Sequence, residues 1–240
     1  MKLWVTITLG AILAIIFVVA FVPQVWFPAA SSWSLFSTER NPQLFVTPAP
    51  RYPEYPPVVR TDCAEFLFQH LCLTVPWEVA DRVEFAGRVR FTFEGGREMT
   101  VSTNKHNPDF ARILLTLLGP KGTTGQSFYQ GKNLKGNYDL TSLVLAVSPK
   151  ENEVVLPSEM PAQFILLLTK LFHTPRGSDM VIQRFATGTT QGFQFGIAKH
   201  HDPIKIYAFD NRNREYTLLF SGPEIDQRAI DSVLWSLEPL

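Results

Sequence analysis

The only cluster of metal-binding residue types in the sequence is His200-His201-Asp202. A metal site needs several imidazole, thiolate or carboxylate groups that converge on one point. Adjacent residues of a β-strand point to opposite faces of the sheet, so these two imidazoles can act together only in a turn. Pro203 follows directly and favours such a turn. A solvated loop is the simpler interpretation, and we predict no metal site.

Sequence signatures of cofactor binding and covalent catalysis are absent. The glycine-rich segment Gly119–Gly125 lacks the Gly-Lys-Ser/Thr ending that places a lysine on bound phosphates. Neither a G-x-G-x-x-G fingerprint nor a G-x-S-x-G nucleophile elbow occurs. Cys63 and Cys72 have no neighbouring motif typical of a thiol nucleophile. We therefore predict a protein that is not an enzyme, with no catalytic residue and no cofactor.

The two cysteines have a structural use that the sequence leaves open. Cys63 and Cys72 lie nine positions apart, which is a rise of about 13 Å on a continuous helix. A disulfide needs Cα atoms within about 7 Å, so a Cys63–Cys72 bond requires the chain to fold back between them. Such a bond can form in an oxidising compartment. Otherwise Cys72 is a small buried residue of its strand.

Charge is balanced in this chain, with 22 basic and 22 acidic side chains in 240 residues. A net charge of zero lacks the positive field of a nucleic-acid-binding protein, so no nucleic-acid partner is expected. The segment Lys121–Gly136 is nevertheless rich in glycine and lysine. We expect it to form a surface loop, and we take Lys121, Lys132 and Lys135 as candidate contacts to a protein partner.

Residues 3–22 form a run of 20 residues with no charged side chain. A helix of this length rises about 30 Å, which matches the hydrocarbon core of a bilayer. We predict that it anchors the chain in membrane lipid as a single-pass transmembrane helix. The alternative is a cleaved signal peptide, because residues 28–31 (PAAS) offer a small-residue cleavage site. Lys2 precedes the run and the next basic residue is Arg40, which predicts a carboxy-terminal domain outside the cytoplasm; the alternative is a domain that faces the cytosol.

The segment after this run has the composition of a tether. Six prolines fall within residues 42–57, which favours an extended, semi-rigid spacer of about 50 Å. Tyr52 and Tyr55 beside the prolines leave open a docking motif for a partner groove. The predicted organisation is a transmembrane anchor over residues 1–27, a Pro-rich linker over 28–60 and a soluble domain over 61–240.

Hydrophobic periodicity in residues 61–240 changes repeatedly between the two-residue period of strands and the 3.6-residue period of helices. Gly95-Gly96 indicates a hairpin between Arg82–Phe93 and Met99–Ser102, and Asp210–Asn213 suits a second hairpin turn. The other predicted strands are Phe66–Val75, Met180–Ala186, Gly192–Ala198, Lys205–Phe209 and Glu215–Phe220, and the predicted helices are Asn107–Leu118, Tyr138–Val147, Pro161–Phe172 and Ile225–Leu237. This mixed order predicts an α+β domain.

Two short segments of the domain resemble the Mog1/PsbP-like family. Residues 71–78 (LCLTVPWE) are similar to its early strand running into a Pro-x-x-Trp-type corner. Residues 216–222, followed by 230–237 (IDSVLWSL), are similar to its last strand, small turn and terminal helix. The resemblance implies an antiparallel sheet flanked by helices, an α/β/α sandwich, over residues 62–240. It also implies a role in assembly or binding, because members of this family are rarely enzymes.

The sequence therefore predicts a membrane-anchored extracytoplasmic binding or assembly-scaffold domain that holds a protein partner near the membrane. The alternative is an envelope enzyme of the hydrolase kind. In that case Asp or His residues distant in sequence would form an active site only in the fold, and a pocket lined by converging polar groups would indicate it.

Overall fold

The computed structural model describes residues 41–54, 67–68, 71–85, 87–103, 136–149, 160–176, 180–212 and 214–239. The chain divides into two compact units. One holds residues 1–45, 108–135 and 143–178, and the other holds residues 46–107, 136–142 and 179–240. Within the described ranges, none of the helices is both long and apolar enough to cross a bilayer. The predicted span over residues 3–22 lies outside those ranges.

Strands dominate the larger unit. They are β1 (Ala49–Pro50), β2 (Leu67–Phe68), β3 (Leu71–Cys72), β4 (Val79–Phe85), β5 (Arg88–Phe93), β6 (Arg97–Thr103), β7 (Ile182–Ala186), β8 (Thr190–Phe195), β9 (Ile204–Asp210), β10 (Glu215–Ser221) and β11 (Glu238–Pro239). The described helices are α1 (Asn137–Ala146), α2 (Met160–His173) and α3 (Gln227–Ser236), with short 3-10 turns at Pro42–Phe45 and Glu94–Gly96.

Eight strands form one sheet in the order β1-β7-β8-β9-β10-β6-β5-β4. Seven of these strands form two meanders, β4-β5-β6 and β7-β8-β9-β10, which join where β6 pairs antiparallel with β10; the eighth strand, β1, pairs with β7. Leu218 lies opposite Val101 at the centre of this junction. All neighbouring strands are antiparallel except β1 and β7, which are parallel, so the sheet is mixed. A second sheet of three short strands has the order β11-β3-β2.

The two hairpin turns that the sequence predicts are confirmed. Gly95 and Gly96 connect β5 to β6 with φ angles of 79° and 78°, a conformation that glycine adopts without steric cost. Between β9 and β10, Asp210 Oδ1 accepts hydrogen bonds from the backbone N–H groups of Arg212 (2.9 Å) and Arg214 (2.8 Å). This side-chain bonding of the backbone is the reason why aspartate favours such turns.

One face of the sheet carries the main apolar core. Successive side chains of a strand point to opposite faces, so β5 buries Val89 and Phe91 while Arg88 and Arg90 are exposed. The core combines such residues from five strands of this sheet with helix α3 and the short strand β3. Its members include Met99, Val101, Phe185, Ile206, Ala208, Tyr216, Leu218 and Phe220.

Helix α3 covers this core face with an amphipathic surface. Asp226 is its N-cap, and its carboxylate accepts a hydrogen bond from Ala229 N at 2.7 Å, which satisfies a backbone donor that the first turn leaves free. Ile230, Val233 and Leu234 point into the sheet and are 0% exposed. Their spacing of three and four residues places them on one side of the helix.

The opposite face of the sheet contacts the start of α1. The ring of Tyr138 stacks on Phe193 with centroids 5.4 Å apart and meets Phe209 edge-on at 5.7 Å. Phe193 and Phe209 are 0% exposed. Burial raises the pKa of the Tyr138 hydroxyl, and the charge of Arg184 opposes that shift.

The small sheet fastens the carboxy-terminal segment to the start of the domain. Glu238 lies opposite Cys72 in register. Next to this pair, the Ser236 hydroxyl accepts a hydrogen bond from Thr74 N at 2.8 Å and lies 3.0 Å from Thr74 O. Thr189 donates a further bond to Leu237 O at 2.6 Å. Residues far apart in sequence thus meet at one corner of the larger unit.

The smaller unit has its own apolar contacts. Leu44 of the first 3-10 turn packs with Leu167 of α2, and Leu166 packs with Leu143 and Val144 of α1. Leu44 and Leu166 are 0% exposed. The run of apolar residues in α2 is explained by these contacts, because apolar positions on more than one side of a helix need partners on each side.

The fold is α+β, as the sequence predicts. Three predicted details change: the sheet is mixed, Phe66–Val75 is a hairpin of β2 and β3, and Arg82–Phe93 is two strands. Gly87, with a φ angle of 76°, provides the reversal between β4 and β5. Within the predicted linker, residues 49–50 form strand β1. The predicted helix at residues 107–118 lies outside the described residues.

The close approach of strands β8 and β9 at Gly192 generates a stability prediction. A Cβ atom there would collide with Tyr207 O and lie 2.8 Å from Phe185 Cζ. We expect Gly192→Ala to lower the free energy of unfolding by about 3 kcal/mol, the upper end of overpacking costs. Chemical denaturation of the full-length chain in mild detergent measures this. Gly188→Ala is the matched control, because a Cβ atom at Gly188 meets nothing within 4 Å; equal losses in both variants would contradict the prediction.

Candidate functional site

A buried ion pair joins the segment before the domain to helix α3. Residues 49–54 (APRYPE), which we call the strap, include the edge strand β1 and run along β7, where Arg51 N donates to Arg184 O at 2.7 Å. The guanidinium of Arg51 forms a salt bridge with Asp231 of α3. The two side chains are 12% and 4% exposed. Two opposite charges are therefore enclosed together at this edge of the sheet.

Two glutamines complete this cluster. Arg51 Nη1 donates to Gln194 Oε1 at 3.0 Å. The amides of Gln194 and Gln227 bond reciprocally, at 2.8 Å and 3.0 Å. Gln227 Nε2 also donates to Asp231 Oδ1 at 3.1 Å, and Gln194 Nε2 donates to Gly196 O at 3.0 Å. We call Arg51, Asp231, Gln194 and Gln227 the clamp.

The clamp satisfies its own hydrogen-bonding groups. Asp231 Oδ2 accepts from Glu54 N at 2.9 Å, while Oδ1 accepts from Arg51 and Gln227. Both N–H groups of the Gln194 and Gln227 amides have acceptors within the cluster or its backbone. A buried charge is tolerated when it is paired and fully hydrogen-bonded. The arrangement is suited to fastening the strap.

The strap makes further contacts to α3. Trp235 Nε1 donates to Pro53 O at 3.2 Å, so the backbone of the strap is bonded at residues 51, 53 and 54. Burial lowers the pKa of the Arg51 guanidinium, and the charge of Glu54 opposes that shift. A guanidinium stays protonated at neutral pH in spite of such a shift. Tyr52 of the strap is 89% exposed.

A buried lysine has a comparable role in the smaller unit. Lys170 is 0% exposed, and its ammonium donates to Leu44 O at 3.1 Å and to Val147 O at 2.6 Å. Both carbonyls lie at the carboxy-terminal end of a helical segment, where backbone acceptors lack partners and the helix dipole favours a cation. Lys170 thus caps two segment ends at once.

Another lysine lies on the face of the sheet that α1 contacts. Lys205 Nζ is 4.7 Å from the ring centroid of Tyr207, a distance at which a cation interacts with the ring quadrupole. Burial lowers the pKa of the Lys205 ammonium, and the charge of Glu215 opposes the shift.

The His200–Asp202 segment forms a turn, as Pro203 suggests, and its imidazole has a structural use. Ile197 N donates to His201 Nδ1 at 3.0 Å, and the backbone N–H groups of His200 and His201 donate to Ile197 O at 3.1 Å and 3.0 Å. Among the residues that the structure describes, no group of three or more His, Cys, Asp or Glu side chains is arranged to hold a metal ion.

The residues predicted as partner contacts, Lys121, Lys132 and Lys135, lie outside the described residues. Cys72 is disulfide-bonded in the structure. Cys63 is the only other cysteine in the sequence, and it also lies outside the described residues. Cys72 itself is 2% exposed and belongs to β3, next to the carboxy-terminal strand.

Sequence reasoning missed both the clamp and Lys170. In α3, Asp231 lies between the buried residues Ile230 and Val233. A carboxylate directly beside the apolar face of a helix was the sequence signal that could have indicated the clamp. Lys170 similarly interrupts the apolar run FILLLTKLF. Such a charge can mark a buried pair, but the sequence does not identify its partner, because Arg51 and Asp231 are 180 residues apart.

The clamp predicts a large effect for a small substitution. Asp231→Asn replaces one carboxylate oxygen by an NH₂ donor, which then faces N–H donors of the strap. We expect the free energy of unfolding to fall by about 3 kcal/mol, because removing one partner of a buried ion pair leaves an uncompensated charge. Chemical denaturation of the full-length chain in mild detergent measures the loss.

Glu54→Gln is the control for this substitution. It removes a surface ion pair with Arg228 at 3.8 Å, whose side chains are 80% and 74% exposed, but keeps the backbone bond from Glu54 N to Asp231. Exposed pairs contribute about 0–1 kcal/mol. A loss for Asp231→Asn no larger than that of Glu54→Gln would show that the clamp does not hold the strap.

Comparison of this chain with protein-family models, with curated proteins and with solved structures finds no match.

Proposed function

We propose that this protein is a membrane-anchored extracytoplasmic module that binds or assembles a protein partner. Residues 3–22 anchor it in the lipid bilayer as a single-pass helix, and the α+β domain lies outside the cytoplasm. The partner is held near the membrane surface because the domain is tethered to that helix through the segment that contains the strap.

The clamp is the observation that carries this proposal. A domain that must hold a partner at a defined place needs a fixed connection to its anchor, and a free polyproline spacer would leave its orientation variable. Arg51, 12% exposed, and Asp231, 4% exposed, instead attach the strap to the sheet and to α3. Because the charges of Arg51 and Asp231 are enclosed together and bond to each other, they fasten the strap through paired polar groups.

The disulfide at Cys72 supports the extracytoplasmic location. Disulfides persist in oxidising compartments and are rare in reducing cytosol. Cys72 lies in β3, which pairs with β11, so the bond reinforces the corner where the start and end of the domain meet. A cross-link stabilises a fold mainly by restricting the unfolded chain.

The arrangement of helices supports the finer description as an α/β/α sandwich of the Mog1/PsbP-like kind. Helix α3 packs on one face of the sheet through Ile230 and Val233. On the opposite face, Tyr138 of α1 stacks on Phe193. Helical residues thus contact both faces of the large sheet, as that resemblance implies.

The chemistry of the proposed partner follows from the basic segment over residues 121–136. Lys121, Lys132 and Lys135 bring three positive charges into 16 glycine-rich residues. Flexible ammonium groups suit an acidic protein surface, where complementary charge directs association and selects among partners. We therefore assign the partner contact to these lysines and expect acidic residues on the other side.

The location generates a prediction about thiol reactivity. Cells that express the full-length chain are first quenched with acid, which preserves the thiol state of the intact cell. The chain is then denatured and treated with a maleimide reagent, which should label no cysteine before reduction. After reduction it should label Cys63 and Cys72. A gel shift with a polyethylene-glycol maleimide measures both states. Two reactive thiols before reduction would contradict the extracytoplasmic location, and Cys63→Ser, which should leave Cys72 reactive without reduction, is the control.

The partner contact generates a second prediction. We expect the triple variant Lys121→Glu, Lys132→Glu and Lys135→Glu to reduce the amount of co-purified partner at least tenfold, because like charges would face each other across the contact. Native mass spectrometry of the full-length chain extracted in mild detergent measures the stoichiometry.

Two controls separate charge from position in this experiment. The triple Lys→Arg variant keeps the charge and should keep the partner. Lys199→Glu reverses an exposed charge in the turn after β8 and should also keep it. Equal capture by the wild-type chain and by the triple Glu variant would remove these lysines from the proposal.

A further inference from the structure

Strand β5 exposes two arginines on the face of the large sheet that lies opposite α3. Its residues alternate between exposed and buried positions, and Val89 and Phe91 belong to the core that α3 covers. Arg88 and Arg90 therefore point to the other face, and both are exposed. They lie two residues apart on one strand, a distance of about 7 Å. Two positive charges thus stand side by side in solvent.

An apolar strip runs along one side of these arginines. Phe85 of β4 lies opposite Arg88, and Val83 lies opposite Arg90. Directly opposite residues of an antiparallel pair point to the same face of the sheet. Phe85 is 50% exposed and Val83 is partly exposed. An aromatic and an aliphatic surface are therefore available beside the two guanidinium groups.

A strip of hydroxyl groups runs along the other side. Ser102 of β6 lies opposite Arg88, and Thr100 lies opposite Arg90. Both residues are partly exposed. A hydroxyl group both donates and accepts hydrogen bonds, so this strip can bond to the polar groups of a bound segment. We call the three parallel strips, apolar, basic and hydroxyl, the β5 face.

The two arginines have no acidic partner within the part of the chain that the structure describes. Arg97 of the adjacent strand, by contrast, forms an ion pair with Glu224 at 2.6 Å. Like charges at a separation of about 7 Å repel each other. An external anion that contacts both Arg88 and Arg90 would remove this repulsion, so their arrangement favours an acidic ligand.

The acidic residues of this face lie at one end of it. Asp81 and Glu98 both lie opposite Thr92, which is the next residue after Arg90 on this side of β5. An acidic residue opposite an arginine would stabilise the sheet, yet the positions opposite both arginines are uncharged. An acidic ligand would be repelled at the Thr92 end, so the site extends from Arg90 towards Arg88.

We propose that the β5 face binds an extended acidic segment of the protein partner, with carboxylates at every second residue. Alternate side chains of an extended chain point to one side about 7 Å apart, which matches the spacing of Arg88 and Arg90. Each guanidinium can bind a carboxylate through two parallel hydrogen bonds. The inference rests on the proposed function in one respect, because the segment belongs to the partner proposed there.

The periodic arrangement of the strips favours a polypeptide as the occupant. Their residues repeat at the spacing of a strand, whereas the headgroups of a lipid surface have no such fixed period. Arginine and aromatic residues also dominate the binding energy of many protein interfaces. Phe85 next to Arg88 provides this combination. Contact is made by side chains, so it does not require a free backbone edge of the sheet.

Two synthetic peptides of the same composition test the spacing. In the first, glutamate alternates with threonine. In the second, pairs of glutamates alternate with pairs of threonines, so no two glutamates are two positions apart. Fluorescence anisotropy of the labelled peptides with the full-length chain in mild detergent measures both affinities. We expect the first peptide to bind at least about threefold more tightly, because only its carboxylates reach both arginines from one side.

Charge reversal tests the residues. Arg88→Glu combined with Arg90→Glu should weaken binding of the alternating peptide at least about tenfold, because like charges would face each other. Arg228→Glu is the matched control. Arg228 lies on α3, which covers the other face, and its side chain is 80% exposed, so this variant should bind the peptide as the wild-type chain does.

A substitution beside the arginines provides a test that keeps both of them. Thr100→Glu places a carboxylate directly opposite Arg90, where it should pair within the chain and exclude the peptide. Thr100→Gln has a similar size without the charge and should retain binding. Equal binding by these two variants would contradict the assignment of Arg90 to the site.

Several results would overturn the inference. Equal affinities for the two peptides would remove the spacing, and full binding by the Arg88→Glu, Arg90→Glu variant would place the acidic ligand elsewhere. Binding of a soluble short-chain phosphatidylglycerol at these arginines, without binding of the peptide, would assign the face to lipid. A wild-type dimer that this variant loses, measured by sedimentation velocity, would assign it to a second copy.

Failure of the proposed function is distinguishable from failure of this inference. The triple Lys→Glu variant at residues 121, 132 and 135 should bind the alternating peptide as the wild-type chain does. A chain that shows the spacing preference but co-purifies with no protein would contradict the proposed function. A chain that retains its partner equally with and without Arg88 and Arg90, and shows no spacing preference, would overturn only the role of the β5 face.

Discussion

The bond between Arg51 and Asp231 is the interaction on which the arrangement of the larger unit depends. A guanidinium and a carboxylate in a place with little solvent are each unfavourable alone, and together they are tolerable only when their remaining hydrogen-bonding groups have partners. Gln194 and Gln227 provide those partners. This requirement fixes three separate pieces of chain at once: the strap, strand β8 and helix α3. The helix therefore lies against the sheet by polar bonds at one end and by apolar packing along its length.

The rest of the sheet follows from alternation and from its turns. Where every second residue is apolar, as in β5, one face enters the core and the other stays polar. Where α1 contacts the opposite face, β8 and β9 are buried at almost every position, and the aromatic side chains of Phe193 and Phe209 are fully buried there. Gly192 allows those two strands to approach closely, since any larger residue would meet Tyr207 and Phe185. The lysines that interrupt apolar segments are accommodated by carbonyl groups or an aromatic ring.

Local features of the fold could be predicted from the sequence, and contacts between distant residues could not. Helices α1, α2 and α3 and the hairpins at Gly95-Gly96 and Asp210 are encoded by periodicity and turn residues within a few positions. The break at Gly87 was missed because Arg82–Phe93 alternates across it. Strand β1 was missed because Ala49-Pro50 has neither alternation nor β-branched residues, and its parallel pairing with β7 is set by Arg51 bonding elsewhere. Polar residues such as Gln194 look like surface residues in the sequence, and only their partners on the strap and on α3 make their burial favourable.

The junction of β6 with β10 has a consequence for how this chain acquires its structure. Each meander is made of contacts between neighbours in sequence, but the junction pairs residues 98–103 with residues 216–221. Chains dominated by pairings of such long range fold slowly, because the loop between the strands must be closed before the contacts form. During synthesis the first meander can form early, while its edge at β6 stays unpaired until nearly the whole polypeptide has been made. An open strand edge is a site of aggregation, so the nascent protein has a vulnerable interval that ends only when β10 arrives.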